Sequence, residues 1–474
     1  MSRSGGFLAS VSALSAARAA AVASQVLIIP ILARSLTPAD FGIVALAMSV
    51  AALTHIFSDA GMARSLIRTP LDAVEEWSSV FWFLGAVGGV LSGVILALVP
   101  AAVWFFEEPA LYAPLIALSP TPLMLSLGAA FTAEMERRGA FAELALSQVS
   151  ATLLSFLVAV WMALAGFGFW ALIVQQIILI GARSLWAAVR SRFRPSVSFS
   201  MRALGPHFRF GRDITVSSLL SYAGEQSTTL VIGKAFGAAE LGLYSMTQRF
   251  ARLPLFGLAG PFGQVLYVRL AGVSEDLPVF RRVVVAAVRL LGLAILPGMA
   301  AVAVAGEEAF VLVLSEKWAE VAPIFALIAG GAALRAVTNP TFVALAALGR
   351  TDQRLLLTIE ITGFWLILLL GSGAFGVAGI ALAYTAWMLL QLPLHWRRLE
   401  RTCGLGALAF LRALTLGVIV AVLVAVAMVL AFTFSNLEGW ARLGLGAGVA
   451  MLTFGAAAVA VRDWLKDDLA SLRG

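Results

Sequence analysis

The sequence predicts an all-α polytopic membrane protein of about fourteen transmembrane helices. Two six-helix lobes would be related by a pseudo-twofold axis along the membrane normal, with two C-terminal helices appended. Three observations predict it. The 474 residues are 61% hydrophobic and 12% charged, with a mean hydropathy of +0.96, whereas a soluble domain carries roughly 25% charged residues. The apolar residues run in stretches close to the ~20 needed to cross a bilayer. The sequence also matches itself at an offset of 200. So many crossings leave no room for a large soluble catalytic domain.

Apolar stretches bounded by charges, Gly or Pro place the spans at 11–33, 41–62, 80–105, 110–131, 147–165, 168–189, 212–232, 241–267, 283–305, 321–347, 355–371, 375–394, 409–432 and 442–461. The N-terminal MSRSGGFLASVSALSAARA imitates a secretory signal, but its apolar pattern continues through Arg18 to Ile31 and reads as the first helix. The first, seventh and eighth spans are polar on one face. The organisation that follows is an N-terminal lobe at 1–189 and a cytoplasmic link at 190–211. A C-terminal lobe at 212–400 comes next, then helices 13 and 14 with a cytoplasmic tail at 401–474.

The 33 Lys and Arg against 26 Asp and Glu give a net charge of +7. In a soluble protein that balance would suggest nucleic acid; here topology explains it, and no nucleic-acid partner is expected. With the N-terminus inside, 23 of the basic residues fall in inner connections and only Arg34, Lys234, Lys317 and Arg442 in outer ones. A miscounted helix would scramble that alternation, because the excess of Lys and Arg belongs on the cytoplasmic side. The outer connections are acidic instead, with Asp40, Glu107, Glu108, Glu240, Glu307 and Glu308 among them. The basic stretch from Arg190 to Arg212 would also contact anionic membrane lipids.

The repeat aligns Arg34-Ser35-Leu36-Thr37-Pro38-Ala39-Asp40-Phe41-Gly42-Ile43 with Lys234-Ala235-Phe236-Gly237-Ala238-Ala239-Glu240-Leu241-Gly242-Leu243. Glu107-Glu108 falls over Glu307-Glu308 at the same offset, and Gly166-Phe167-Gly168 resembles Ala374-Phe375-Gly376 at 208. Helices 1–6 and 7–12 therefore read as two copies of one unit. Parallel halves of this kind typically enclose a central site and rock about it.

The segment Ile31-Leu32-Ala33-Arg34-Ser35-Leu36-Thr37-Pro38-Ala39-Asp40-Phe41-Gly42 resembles the oligosaccharide flippases of the polysaccharide transporter family. That family shares a superfamily with multidrug and toxin extruders and the lipid II flippase. The likeness extends through Ser58-Asp59-Ala60-Gly61-Met62, Ser65-Leu66-Ile67-Arg68, Gly242-Leu243-Tyr244-Ser245 and Arg269-Leu270-Ala271. It implies a multi-pass protein of the bacterial inner membrane that flips an undecaprenyl-diphosphate-linked oligosaccharide to the outer leaflet by alternating access. The product would serve O-antigen, capsule or exopolysaccharide synthesis, with polysaccharide polymerase and chain-length proteins as potential partners. No substrate residues carry over from the resemblance.

Six basic residues fall within spans: Arg18, Arg183, Arg249, Arg252, Arg289 and Arg335. A charge at mid-bilayer costs ~2.5–3.5 kcal/mol, so it faces a cavity or a partner. Arg249 and Arg252 share a helix face at i, i+3. Arg335 and Asn339 stand at i, i+4 before Pro340, and Arg18 lies on the polar stripe of the first helix. If these faces converge, they form a cationic chamber for a diphosphate, which arginine's planar fork binds well. Structural pairing with Glu225, Glu360 or Asp59, or snorkelling along the surface, is the alternative. Arg183 and Arg289, near inner helix ends, fit snorkelling better.

Glu225, Asp59 and Glu360 are candidates for proton or sodium coupling, because a desolvated carboxylate favours its neutral form. A fixed ion pair or a solvated cap is the competing reading for each. His55, one turn before Asp59, reads as a packing residue that could titrate. Ser119-Pro120-Thr121-Pro122 and Asn339-Pro340 fall in corresponding helices of the two copies, where proline frees backbone groups.

Cys403 is the single cysteine, which excludes an internal disulfide and a cysteine metal cluster. His55, His207 and His395 are too scattered for a zinc site or a triad. There is no phosphate loop and no H-E-x-x-H helix. No catalytic residues, metal or cofactor are expected beyond a coupling H⁺ or Na⁺. Two other functions compete: an ion-coupled multidrug extruder, which needs an acidic and aromatic site, and a polytopic polysaccharide polymerase or ligase, which needs an outer catalytic loop.

Overall fold

The computed structural model describes residues 28–59, 62–67, 69–70 and 73–473, and the regular structure among them is entirely helical. Ten stretches among the described residues are long and apolar enough to cross a bilayer. The expected spans from the second to the fourteenth all fall on helix; positions 11–27 of the first lie outside the described residues. The seventh and eighth fall on Met201–Ala251, whose backbone breaks at Gly237 (φ 82°, ψ −178°), with the eighth continuing into Gly260–Gly272. Their polar faces keep both below the hydropathy of a simple span. The eleventh and twelfth, Thr351–Ser372 and Gly376–Leu390, belong to one apolar stretch turned at Gly376 (φ 71°).

The described residues form two compact units, one up to Gly242 and one of Leu243–Gly474. This division lies beyond the 190–211 link because residues after 201 pack onto helix Pro38–Asp59. The Tyr222 hydroxyl donates to the Ser49 carbonyl, and Leu46 closes on Gly233. The tightest contact joins the two copies of the repeated segment. A Cβ on Gly42 would stand 1.7 Å from the Ala238 carbonyl oxygen, and one on Gly242 would stand 1.8 Å from that of Pro38. At an offset of 200 these are equivalent pairs, so the contact is reciprocal, as a local twofold relation demands. Small residues at helix crossings are how bilayer-embedded helices approach closely.

Elsewhere in this unit, Thr37 and Asp40 form a capping box at the start of Pro38–Asp59. The Thr37 amide and hydroxyl donate to Asp40 Oδ2 (2.8 and 2.7 Å), and the Asp40 amide returns to Thr37 Oγ1 (3.2 Å). Pro38 follows at the first helical position, where its missing N–H costs nothing. Asp40 Oδ1 also accepts from the Phe169 amide. Trp77, Phe81, Phe131 and Phe193 build an aromatic core around Leu66 and Leu204. The fully buried Glu134 accepts from Ser191 Oγ and the Arg192 amide and lies 3.4 Å from Arg138 Nε, anchoring the chain that leaves Trp170–Arg190.

In the second unit, helix Leu277–Val304 is central. Ala407–Phe434 runs along it, with Gly417 against the Gly292 backbone, and Val321–Val337 also packs on it. The Val321–Ala347 stretch is 72% buried and Gly439–Ala460 only 6%, so the last span is peripheral. Arg462–Arg473 folds back onto Leu277–Val304.

Candidate functional site

Two helix interruptions meet in the second unit. The first follows Ala251: Arg252 is a turn residue, Pro254 removes a backbone donor, and Leu255–Ala259 winds as a π-helix before Gly260–Gly272 begins. Such π segments cluster at functional positions. The second falls at Thr338, between Val321–Val337 and Asn339–Ala347, with Pro340 at the helix start. Asn339 Nδ2 ties the two together by donating to the Ala259 carbonyl (3.1 Å).

The arginines sit on these breaks. Arg249 occupies the last turn before the first break and keeps an open face, while Arg252 lies in the break itself. Arg252 Nε is buried with no hydrogen-bond partner. Arg335 occupies the last turn before the second break. Tyr244, only 4% exposed, marks where Arg252 and Arg335 approach each other: its hydroxyl accepts from Gln248 Nε2 (2.8 Å) and lies within electrostatic reach of Arg252, Arg335 and Tyr384. The arrangement is a cationic patch with phenol and amide groups beside it. It can bind an anion through charge-assisted hydrogen bonds.

Among the other residues singled out by sequence, Arg18 lies outside the described residues, as do the side chains of Asp59 and Glu225. Asn339 is engaged by backbone, which makes it a fastening between the two breaks. Glu360 is ion-paired with Arg398, whose Nη1 also donates to Gln353 Oε1 (2.6 Å). That fastens Thr351–Ser372 to Leu392–Cys403, through an arginine outside the set the sequence reading weighed as its partner. His55 Nε2 donates to Thr121 Oγ1 (2.9 Å), whose own proton goes to the Leu118 carbonyl, so His55 packs against the proline-marked break of its unit. Arg289 pairs with Asp468 at 3.1 Å in place of snorkelling.

The acidic pairs of the repeat are each engaged by one of the few bases expected outside. Lys234 Nζ lies 2.7 Å from Glu107 and over the Phe105 ring, and Arg442 Nη1 lies 2.8 Å from Glu308. The Lys234 hydrogen bond holds the Glu107 carboxyl below its usual range. Among the described residues no three His, Cys, Asp or Glu side chains group as metal ligands.

Sequence reasoning missed Tyr244, Gln248, Tyr384 and Arg398. The spacing Tyr244, Gln248, Arg252 was a usable signal, since i, i+4, i+8 places all three on one helical stripe, in a chain with only five tyrosines.

Comparison with known proteins follows this geometry. Residues 31–323 match the model of the family described as polysaccharide biosynthesis proteins. The lipopolysaccharide biosynthesis protein WzxC of Escherichia coli is 26% identical over 81% of this chain and 80% of its own. The succinoglycan biosynthesis transport protein ExoT of Rhizobium meliloti is 27% identical over 64% of this chain and 61% of its own. Among solved structures, the lipid II flippase MurJ in an inward closed conformation superposes with a TM-score of 0.77 at 14% identity, covering 97% of this chain and 100% of that one. With the family model spanning more than half of its length, the chain belongs to the polysaccharide biosynthesis protein family.

Proposed function

We propose that the protein is a flippase that moves a lipid-linked oligosaccharide from the inner to the outer leaflet of the bacterial cytoplasmic membrane, with both termini cytoplasmic. The lipid carrier is an undecaprenyl diphosphate, and its diphosphate engages the patch of Arg249, Arg252 and Arg335. The observation that carries this reading is Arg252, a guanidinium at a helix break whose Nε is buried without a partner. A buried polar group left unpaired is costly, and an entering phosphate oxygen would satisfy it. The curated relatives, named for lipopolysaccharide biosynthesis and succinoglycan transport, support the substrate class. The same patch disfavours a cationic drug. A proton or sodium gradient would drive the cycle, with Glu225 and Asp59 as the coupling carboxylates; Glu360, fastened to Arg398, is the weakest of the three candidates.

The test is translocation of a fluorescent lipid-diphosphate-linked sugar in proteoliposomes. An Arg249→Ala, Arg252→Ala, Arg335→Ala triple variant should lose flipping by at least about tenfold, the loss of one charge-assisted contact, while keeping the wild-type melting temperature. Undiminished flipping would remove the role assigned to the patch.

A further inference from the structure

A second basic site lies away from the helix breaks. A cavity of about 960 Å³ opens between the start of helix Leu277–Val304, the Gly404-Leu405-Gly406 turn and the tail helix Arg462–Arg473. We propose that it binds the phosphate of an anionic phospholipid of the leaflet it faces, which the topology proposed above makes the cytoplasmic one.

Three features converge on that ligand. Arg281, Val285 and Arg289 stand at i, i+4, i+8, so one face of Leu277–Val304 presents two guanidinium groups to the cavity, and Arg282 adds a third. Arg281 is half-buried and Arg282 exposed. Opposite them, helix Ala407–Phe434 starts at Gly406, which has no side chain to cap it. The first-turn amides of a 28-residue helix are therefore open to an anion, and the helix dipole favours negative charge there. Arg281 Nη1 lies 3.5 Å from the position a Cβ would take on Gly404, so its guanidinium stands against the turn that delivers those amides.

The acidic groups are accounted for. Asp468 is committed to Arg289, both oxygens accepting from Nη1 (3.2 and 3.1 Å), and that guanidinium also lies over the Trp464 ring. Arg269 holds the same tail helix through the Ser471 carbonyl. The lining carries the three arginines against Asp467 and Asp468, a net charge of +1, and Glu400 stands outside the lining with its Oε1 3.8 Å from the Cβ position on Gly406.

The surroundings decide between a lipid phosphate and a soluble one. Leu408 and Leu411, in the first turns of the helix that starts at the cavity, and Trp464, on the tail helix that borders it, are exposed at 61%, 40% and 61%. Exposed leucines on the bordering helix suit acyl chains, and a tryptophan on the tail helix suits the headgroup level. Basic pockets between membrane helices on the cytoplasmic side are recognised by this chemistry in general.

The test uses the full chain, purified in neutral detergent and delipidated. Bound phosphatidylglycerol is counted by native mass spectrometry and its affinity taken from a tryptophan-fluorescence melting titration. The wild type should retain phosphatidylglycerol, and Arg281→Ala/Arg282→Ala should bind it at least tenfold more weakly. Arg281→Lys/Arg282→Lys, which keeps the charge, should recover part of that loss. An Arg350→Ala/Arg354→Ala control, at two exposed arginines outside the cavity lining, should leave the affinity unchanged. Equal binding by the alanine variant overturns the site. Displacement of the lipid by millimolar inorganic phosphate reassigns it to a soluble anion, and equal affinity for phosphatidylcholine overturns the charge argument. If the alanine variant does not fold, the lysine variant and the salt dependence of wild-type binding still decide the matter. Binding is read without transport, so this inference and the flippase reading fail separately.

Discussion

The reciprocal contact of the repeated segment can be broken from either side, and the geometry sets the expected cost. Gly42→Ala would place a methyl carbon 1.7 Å from the Ala238 carbonyl oxygen and 2.5 Å from its carbon; Gly242→Ala does the same to Pro38 at 1.8 and 2.6 Å. Unstrained contact lies at about 3.5 Å, so the backbones must separate by well over ~1 Å, and the obstacle is main chain, which cannot rotate aside. Overpacking of this kind typically costs about 1–3 kcal/mol. Each single variant should melt lower in detergent, followed by tryptophan fluorescence.

The double variant carries the sharper expectation. The two glycines line one crossing, and the separation that relieves the first clash also relieves the second. The pair should therefore be less destabilising than the sum of the singles, with a coupling of about 0.5–3 kcal/mol. Strictly additive losses would mean that the two contacts open independently, and a neutral Gly42→Ala would mean that the segments are not packed backbone to backbone. Either result refutes the reciprocal arrangement.

Asn339→Ala should cost about 1–3 kcal/mol, because it leaves the fully buried Ala259 carbonyl without its donor; a drop in melting temperature with unchanged substrate affinity distinguishes this fastening from a binding role. Thr37→Ala should cost about 1 kcal/mol by removing one arm of the capping box, measured in the same melt. His207 donates through Nδ1 to Ser65 Oγ and turns Nε2 toward Glu76 at 4.0 Å, and burial outweighs that carboxylate, holding the imidazole pKa below its ordinary value. A depressed folded pKa adds stability above about pH 6.5 that is lost as pH falls through the folded value; melts between pH 7.5 and 5.5 should show a decline that His207→Gln abolishes.

Much of the fold was legible because membrane insertion is a problem of composition. The expected spans from the second to the fourteenth, read from apolar length, fall on helix, and ten stretches among the described residues are long and apolar enough to cross a bilayer. Thr37-Pro38-Ala39-Asp40, first notable as a family resemblance, is a capping box whose chemistry is visible in the letters. The offset of 200 anticipated that residues 38–42 and 238–242 are equivalent, although only coordinates reveal that they touch. Charge partners were not legible. Glu360 meets Arg398 across 38 positions and Arg289 meets Asp468 across 179, and no local pattern encodes a pairing made by tertiary packing. The same holds for the tail, read from sequence only as a cytoplasmic segment: it is a helix held by Arg289 through Asp468 and by Arg269 through the Ser471 carbonyl.

The arginines separate into two groups by what answers their charge. Arg398, Arg289 and Arg442 each meet a carboxylate, Glu360, Asp468 and Glu308 respectively, and such pairs hold helices together. Arg252 stands at a break in its helix with Nε unanswered. Inserting a guanidinium costs ~2.5–3.5 kcal/mol at mid-bilayer, and a chain that needed only packing would meet that position with leucine. A broken helix exposes backbone that is tolerated at membrane depth only beside protein or water, and a cationic group at that break fits the proposed function: a diphosphate would gain there what a cation would lose, the difference in sign that favours an anionic, lipid-linked cargo over a cationic drug.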